Sequence, residues 1–576
     1  MGIPHLISTL EPFAIHGLLD DQSIVVDGPA LAYHVLYICN RNGVVLPSYQ
    51  LLGDTVVAWL DELVRRRVRV EAIYFDGHLP LGKRLVRMER MAKSFHQLKL
   101  AHSVDTKGRP RDYLCSPMHK LLTSDLFSTK APPGKPFLPP SFHVPAVIDA
   151  LRLSPRYRPL VRLVPGEADA YCARHLLNSG GTVLTSDSDL LAHDLGSGRV
   201  VFLRDIYIDG DSRLACTTFS PSQICERLGL PSSDQICRLA YERRQNPNSS
   251  LPQILQECFK PIGHASLYEE FCQEYLHHET APLPASQSGT PLRIDSLDPR
   301  ISELVLQFEN PSDAKDFSQY KIFLPILIED PSRGSAWEQT TSVRQLAYTI
   351  LRHMIPGNSS SVQEYRRVNN TAQKGRKLDL MHKGFTQEFS KALVDLMVGV
   401  QSSVDNDVEL SWLVFCLIVD IRHCCEEEKQ SHCLKMLQRA SRTRSYNKVS
   451  WDVIHFVGQL QAAYYSFRIL HQIISLVPTT EVKSNLHDML ASVPPLTKFP
   501  DIDRVIGLLL RTQEIQTLAI VKKFVSLPEE ELQQEPRRTR SKQPKASRGG
   551  RRAAKASARI DSQTGRNPFE FLAQYD

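Results

Sequence analysis

The sequence lacks any long apolar run. No window of its 576 residues holds the roughly 18 uninterrupted apolar residues that a membrane-spanning helix requires, although 42% of the residues are hydrophobic. The N-terminus also lacks a basic flank and an uninterrupted apolar core, because Glu11, Asp20 and Asp21 come early. We therefore expect neither a membrane span nor a secretory signal, and a chain of this length predicts about three or four folded units.

Paired cysteine spacings are missing as well. The twelve cysteines include no Cys-x-x-Cys, which favours a reduced, intracellular chain over a disulfide framework. His423, Cys424, Cys425, His432 and Cys433 lie close together in the sequence. Their segment has a helical pattern, so we interpret them as structural or exposed side chains rather than as zinc ligands.

Acidic residues are absent from one segment near the C-terminus. Between Arg537 and Arg559 there are ten Lys or Arg and no Asp or Glu. Setting these ten aside from the net charge of +6 leaves −4 for the rest of the chain. A mildly acidic body argues against a protein that coats nucleic acid generally, and it is compatible with an enzyme that gathers carboxylates in one site.

The N-terminal region alternates short apolar runs with helical patterns. An amphipathic helix is predicted over residues 51–67, where Leu52, Val56, Trp59 and Leu63 recur at helical spacing. Near-continuous apolar strands separated by helices indicate an α/β fold, with a parallel sheet that helices cover on both faces. The predicted strands are Ser23–Asp27, Val70–Asp76, Gly181–Ser186 and Val200–Leu203.

Composition suggests three regions. Residues 1–250 are predicted to form the α/β domain, with an insertion at 91–160 whose proline-rich part, Ala131–Pro140, disfavours regular structure. Residues 251–527 carry apolar stripes at helical spacing and predict a mainly helical region. Residues 528–576 are polar and basic, which predicts a disordered tail, and they end in an apolar peptide, Asn567–Leu572, that could dock a protein partner.

Acidic side chains follow three of the predicted strands. Asp27 and Asp76 end two runs, and Asp187 and Asp189 follow a third. Because parallel strands bring their carboxyl ends to one edge, where ligands bind, we expect these groups to lie together. Glu167 and Asp169 start a helix after Pro165-Gly166, and complementing the helix dipole is the alternative explanation for this pair.

Six clustered carboxylates need compensating charge, since like charges raise one another's pKa. Mg²⁺ or Mn²⁺ would supply it, because these hard cations prefer oxygen ligands. Two such ions roughly 4 Å apart can activate water and stabilise the leaving oxygen of a displacement at phosphorus. The pattern therefore predicts hydrolysis of a phosphodiester.

The blocks MGIPHL, VVDGPALAY, FDGHLP, PGEADAYCA and TSDSDLL, taken in this order, resemble the XPG/flap-endonuclease family of PIN-like nucleases. The segment Phe323–Tyr348 resembles the middle region of fungal asteroid-domain proteins. The resemblance covers most of the chain outside the tail.

This resemblance implies roles for particular residues. Lys83 and Arg90 match the two basic residues that grip the scissile phosphate, and Arg87 shares their helix face by spacing. A solvated basic helix is the alternative for these three. Tyr33 matches an aromatic that stacks on a nucleotide, and a core tyrosine is its alternative. The residues that match the family's metal ligands are Asp27, Asp76, Glu167, Asp169, Asp187 and Asp189.

Two features depart from the family pattern. If Tyr241 matches the family's tyrosine, Ala240 stands where a seventh carboxylate belongs, and Glu242 is a weak substitute. The glycine-rich element that grips duplex DNA through a bound potassium ion is also missing, because residues 243–255 read RRQNPNSSLPQIL. Flap specificity is therefore not expected.

The expected function is that of a divalent-metal-dependent, structure-selective nuclease. Its expected substrate is DNA rather than RNA, and this DNA would have single-stranded or junction character. The alternative is a catalytically inactive platform that binds nucleic acid or proteins. The basic tail favours a nuclear location, with the cytoplasm as the alternative. The resemblance to the XPG/flap-endonuclease family implies a role in DNA repair.

Overall fold

The computed structural model describes residues 2–115, 120–128, 131, 137–232, 235–276, 293–307, 320–355, 360–368, 375–440, 445–476, 485–511 and 516–525. The chain divides into two units, Met1–Ser526 and Leu527–Asp576. The expected basic tail and its terminal apolar peptide lie outside the described residues. No helix among the described residues is long and apolar enough to cross a membrane.

An eight-stranded sheet forms the centre of the N-terminal region. The strands are β1 (Ile15–Leu18), β2 (Ser23–Asp27), β3 (Arg69–Asp76), β5 (Val161–Val164), β6 (Thr182–Thr185), β7 (Arg199–Phe202), β8 (Tyr207–Ile208) and β9 (Leu214–Phe219). They follow the order β1-β9-β7-β6-β2-β3-β5 across the sheet, and β8 pairs with β9. The five strands from β7 to β5 are parallel, whereas β9 is antiparallel to β7 and to β1.

The parallel core confirms the predicted fold class. All four predicted strands are present, and β2 and β3 end at Asp27 and Asp76 as expected. Alternating side chains face different helices, as the pleat requires. Val25 and Val183 belong to one core cluster with Cys172 and Ile236. That cluster contains no residue of the helices Gly28–Arg41 and Tyr49–Arg65, although both helices also contact the central strands. Different helices therefore cover the two faces of the sheet.

The helices of this region connect and cover the strands. Asp27 caps α2 and Ser48 caps α3, each accepting from a backbone N–H three residues on. Their bounds are α1 (Leu6–Leu10), α2 (Gly28–Arg41), α3 (Tyr49–Arg65), α4 (Arg84–Val104), α5 (Arg111–Leu114), α6 (Thr123–Leu126), α7 (His143–Leu153), α8 (Ala168–Ser179), α9 (Pro221–Arg227), α10 (Gln235–Gln245), α11 (Leu251–Cys258) and α12 (Ala265–Tyr275).

The segment 91–160 has more regular structure than its prolines predicted. It includes most of α4, which runs for 21 residues, and α7, which packs against α3. The two-residue strand β4 (Arg109–Pro110) pairs with β13 (Lys448–Val449) far along the chain. These contacts tie the insertion to the C-terminal helices.

The following region is mainly helical, as predicted, and it also contains a small sheet that the sequence did not suggest. In that sheet β11 (Ser361–Tyr365) lies between β10 (Tyr320–Phe323) and β12 (Gly375–Asp379). The helices are α13 (Pro299–Gln307), α14 (Thr341–Met354), α15 (Lys383–Ser403), α16 (Val408–Glu426), α17 (His432–Ala440), α18 (Trp451–Ile474), α19 (Asn485–Ala491), α20 (Ile502–Leu510) and α21 (Thr517–Phe524).

A buried ion cluster joins this helical region to the α/β region. On α18, Arg468 donates to both oxygens of Asp298 at 2.7 Å and to both oxygens of Asp149, on α7, at 2.7 and 2.9 Å. The side chains of Arg468 and Asp149 are only 9% and 12% exposed. The guanidinium binds two carboxylates at once, and the bond to Asp149 joins α18 to α7.

Candidate active site

Asp27 ends the central strand and begins α2, so it lies where the sheet edge meets a helix N-terminus. Its Oδ1 accepts from the backbone of Ala30 at 3.1 Å, and its Oδ2 accepts from the Thr185 hydroxyl of β6 at 2.6 Å. Burial raises the pKa of this carboxyl from 3.8 to about 7; the two hydrogen bonds oppose the shift, and Asp76 and Asp187 add to it. The site therefore disfavours a bare negative charge at Asp27.

Asp76 ends the neighbouring strand and accepts from the backbone of Ala168 at 2.7 Å, which couples β3 to the start of α8. Burial raises the pKa of Asp76 to about 6, with Glu167 adding to the shift. The chain then leaves the strand through Gly77, where any Cβ would collide with the Val164 carbonyl of β5. A glycine is needed there for the close approach of the two strands.

Asp169 lies at the electrostatic centre of the acidic group. Burial raises its pKa well above 3.8, and the carboxylates of Asp27, Asp187, Asp76 and Glu167 raise it further. The four groups come from two strands, one loop and the start of α8. The structure thus brings the predicted carboxylates of separate elements within electrostatic reach of one another.

The loop after β6 supplies the last two predicted carboxylates. Asp187 accepts from the backbone of Asp189 at 3.0 Å, which shapes the turn. Asp189 accepts from the backbone of Ile3 at 2.8 Å and from the Tyr275 hydroxyl at 3.2 Å. Burial and Asp187 raise the pKa of Asp189 to about 6. The N-terminal residues lie beside this loop, since a Cβ on Gly2 would be 3.1 Å from Asp189 Oδ1.

Lys83 is the cation in direct contact with the acidic group. Its ammonium donates to the two oxygens of Glu167 at 2.8 and 2.9 Å, and Glu274 lies 3.7 Å away. Partial burial works to lower the pKa of Lys83, but these carboxylates prevail and raise it. In this arrangement the lysine supplies part of the positive charge that the carboxylates require.

The other two predicted cations differ in their surroundings. Arg87 pairs with Glu303 of α13 and lies over the Phe323 ring, so it also helps to join the two regions. Arg90 is exposed and forms no ion pair with any described residue. Of the three, Arg90 is the most accessible to a phosphate from solvent.

Tyr33 projects from α2 into solvent with 56% of its surface exposed. Its ring meets the edge of His143 at a centroid distance of 4.5 Å. This exposure excludes the alternative of a buried core tyrosine.

Sequence reasoning missed two residues of α12 that reach the acidic group. Glu274 lies beside Lys83, and Tyr275 donates to Asp189. Burial and the neighbouring Asp189 raise the pKa of Tyr275, which keeps it a neutral donor. Both residues lie more than 80 positions after Asp189 in the chain, and no motif surrounds them, so local patterns could not identify either one.

The position proposed for a seventh carboxylate holds a buried methyl group. Ala240 is fully buried within α10. The adjacent Glu242 pairs with Arg238 of the same helix at 2.7 Å, so its charge is already engaged. Neither residue adds a carboxylate to the acidic group.

Among the described residues, no three His, Cys, Asp or Glu side chains are placed to ligate one ion. Several carboxylate oxygens face protein donors instead, namely Thr185, the Ala30 and Ala168 backbones and Lys83. The donor set still has the chemistry of a hard-cation site, because it consists of oxygens whose burial and mutual repulsion call for positive charge.

Two comparisons bear on the origin of this site. A family model described as XPG domain containing matches residues 139–380. Asteroid homolog 1 of Schizosaccharomyces pombe (strain 972) is 22% identical over 400 residues. That alignment spans 65% of this chain and 65% of the relative, which is slightly less than two thirds of each. The family match includes Glu167, Asp169, Asp187 and Asp189 and begins after Asp27 and Asp76.

Proposed function

We propose that this chain, which is similar to the XPG-domain family model and to Asteroid homolog 1, is a divalent-metal-dependent nuclease that hydrolyses phosphodiester bonds. The observation that carries the proposal is the convergence of acidic residues at one edge of a parallel sheet. Asp76 binds the start of α8 at Ala168, and Thr185 bridges Asp27 and the Asp187 backbone. Packing alone does not explain such a group, because gathering like charges at a partly buried edge costs stability. Perturbed acids gathered at the ligand-binding edge of a sheet are typical of functional sites.

Mg²⁺ or Mn²⁺ fits the donor set better than a softer metal would. The residues that would hold it are Asp27, Asp76, Glu167, Asp169, Asp187 and Asp189. When bound, such ions lower the pKa of water and stabilise charge on the phosphate oxygens. The Lys83 ammonium would then donate to a phosphate oxygen instead of to Glu167.

The basic side chains beside the acidic group would position the substrate. Lys83 and Arg90 are proposed to hold the scissile phosphate, and Tyr33 to stack on a neighbouring base. Arg87 can contact a phosphate of the nucleic acid only if its ion pair with Glu303 breaks. Its contribution to binding should therefore be the smallest of the three cations.

We propose DNA with single-stranded or junction character as the substrate, and the nucleus as the place of action. The family's potassium-dependent duplex grip is not expected here, since residues 246–250 join α10 and α11 without the glycine-rich sequence. Recognition would then rest on unpaired nucleotides rather than on a long duplex.

An inactive platform is the competing function. Two observations favour it: the buried Ala240 in place of a seventh carboxylate, and the absence of three ready ligands among the described residues. Such a protein would bind nucleic acid through Tyr33 and Arg90 and leave it intact.

Cleavage of end-labelled DNA distinguishes the two. Single-stranded, flap and overhang substrates would be incubated with the wild type in Mg²⁺, Mn²⁺ or EDTA. We expect cleavage with either metal, none in EDTA, and none by Asp187→Asn/Asp189→Asn. The matched control is Asp209→Asn/Asp211→Asn, since Asp209 accepts from the Asp211 backbone at the same 3.0 Å in a turn after β8. Binding without cleavage in every metal condition would establish the platform instead.

A further inference from the structure

Helix α2 is almost entirely buried, and its exposed residues are two tyrosines. Among its fourteen residues, Gly28–Arg41, only Tyr33 and Tyr37 are exposed, at 56% and 41%. A helix with an apolar environment on nearly all sides would gain stability by burying such rings too. Their exposure therefore points to a surface that something covers.

The two tyrosines lie on one face of α2, the helix that Asp27 caps. Asp27 caps the helix, Tyr33 follows six residues later, and Tyr37 follows after four more. Residues four apart share a helix face and are about 6 Å apart along the axis. Along the axis Tyr33 lies about 9 Å and Tyr37 about 15 Å from the residue that caps the helix.

Both rings are held by protein neighbours that leave part of each ring exposed. Tyr33 meets the edge of His143. The Arg41 guanidinium lies over the Tyr37 ring, 5.5 Å from its centroid, and donates to the carbonyls of Asp125 and Leu126 at 3.2 and 3.0 Å. Rings fixed in this way lose little conformational freedom when a ligand stacks on them.

We infer that Tyr37 is a second stacking platform and that Tyr33 and Tyr37 bind two neighbouring bases of one single strand. The inference rests on the proposed function, because the single strand bound by the two tyrosines would be the substrate that reaches the acidic group. Aromatic rings accept any base through its π-face, so stacking supports binding without reading sequence.

The spacing selects a single strand over a duplex. Stacked bases in a duplex rise 3.4 Å per step, whereas the two platforms are about 6 Å apart along the helix axis. Bases that occupy both platforms must be separated from each other, which only an extended, unpaired strand allows. Charge agrees with this occupant, because the Arg41 guanidinium lies over the Tyr37 ring.

The test is binding of fluorescein-labelled DNA, followed by anisotropy in EDTA so that no strand is cut. The full-length wild type, Tyr37→Ala and Tyr37→Phe would be titrated with a single strand and with a duplex of equal length. Tyr37→Ala should raise the single-strand Kd about 5- to 150-fold, the range for one lost base stack. Tyr37→Phe keeps the ring, so its single-strand Kd should differ from that of the wild type by less than twofold. The duplex Kd should change by less than twofold in both variants.

The matched control is Phe385→Ala, because Phe385 is also an exposed helical aromatic, at 54%, on a helix that packs against α14, α16, α19 and α21. It should bind the single strand like the wild type. The slope of log Kd against log salt should be the same in Tyr37→Ala and wild type, since stacking releases no counterions. Circular dichroism and thermal melting would verify that each variant is folded.

An abasic scan locates the second platform. When one base at a time is removed from the strand, the wild type should lose affinity at two neighbouring positions and Tyr37→Ala at one. Equal Kd values for wild type and Tyr37→Ala, or equal losses on single strand and duplex, would overturn the inference. Binding that depends on Tyr37 in a protein that never cleaves would refute the nuclease alone, and cleavage with Tyr37-independent binding would refute the second platform alone.

Discussion

Asp27 offers a substitution that removes one charge and keeps one of its two hydrogen bonds. Asparagine caps a helix about as well as aspartate, and its amide oxygen can still accept from the Ala30 backbone or the Thr185 hydroxyl. The carboxylate is 4% exposed, and burial is the largest cause of its pKa of about 7. We therefore expect Asp27→Asn to abolish cleavage and to make the metal-free protein more stable.

The gain in stability from Asp27→Asn should increase as the pH rises. Because the pKa of Asp27 rises from 3.8 to about 7 on folding, the wild type has its full stability from this group below pH 3.8 and loses it as pH rises through about 7. One pKa unit corresponds to about 1.4 kcal/mol, so the upper limit is about 4 kcal/mol. Asparagine does not titrate, so the variant's advantage should grow from near zero at about pH 4 to a few kcal/mol at about pH 8.

Urea unfolding in EDTA at several pH values measures this difference. Asp407→Asn is the matched control, because Asp407 caps α16 with the same kind of bond, to Leu410 at 3.0 Å, but is exposed. Its free energy of unfolding should change by less than about 0.5 kcal/mol at every pH. A constant difference between Asp27→Asn and wild type across the range, or a loss of stability at about pH 8, would refute the electrostatic reasoning.

Three further outcomes follow from the structure and the sequence. Arg468→Met leaves Asp149 and Asp298 buried without their cation, so thermal or urea unfolding should show a loss of about 3–5 kcal/mol; an unchanged midpoint would mean that the cluster does not join the regions. Tyr33→Ala should weaken single-strand binding by about 1–3 kcal/mol in the anisotropy assay, and equal affinity would remove it from the site. Deleting residues 537–576 should flatten the salt dependence of DNA binding, because fewer counterions are released, and should move a fluorescent fusion out of the nucleus; a nuclear fusion with the wild-type salt slope would contradict the role given to the tail.

The strands and their acidic ends were predictable because the signal is local. An apolar run of four to eight residues that ends in aspartate indicates both a buried strand and its carboxyl end, as in Ser23–Asp27 and Val70–Asp76. Parallel pairing then places those ends on one edge. The position of the acidic group therefore follows from short segments read separately.

The contacts that complete the site are not local, and the sequence did not predict them. Glu274 reaches Lys83 from a helix about 190 residues later in the chain, and Arg87 is engaged by Glu303. The strand pair Arg109–Pro110 and Lys448–Val449 is equally distant in sequence. Such pairings depend on how whole regions pack, which periodicity along one segment does not report.

The small sheet of the helical region was missed for a different reason. Its strand Gly375–Asp379 reads GRKLD, with only one buried side chain, and therefore shows no apolar alternation. Ser361–Tyr365 is mostly buried, but it holds Glu364, whose charge is met by Arg344 and Arg366. A hydrophobicity pattern assigns a charged residue to the surface, even where ion pairs allow that residue to be buried.

Mn²⁺ binding by the acidic group tests the central claim most directly. Free Mn²⁺ would be measured by electron paramagnetic resonance during titration of the wild type and of Asp187→Asn/Asp189→Asn, and cleavage of a labelled single strand would be followed in the same samples. The account predicts bound Mn²⁺ and cleavage in the wild type, and the loss of both in the double variant while Asp209→Asn/Asp211→Asn retains them. Cleavage by the double variant at the wild-type rate, or a wild type that binds no Mn²⁺ even with DNA present, would contradict it.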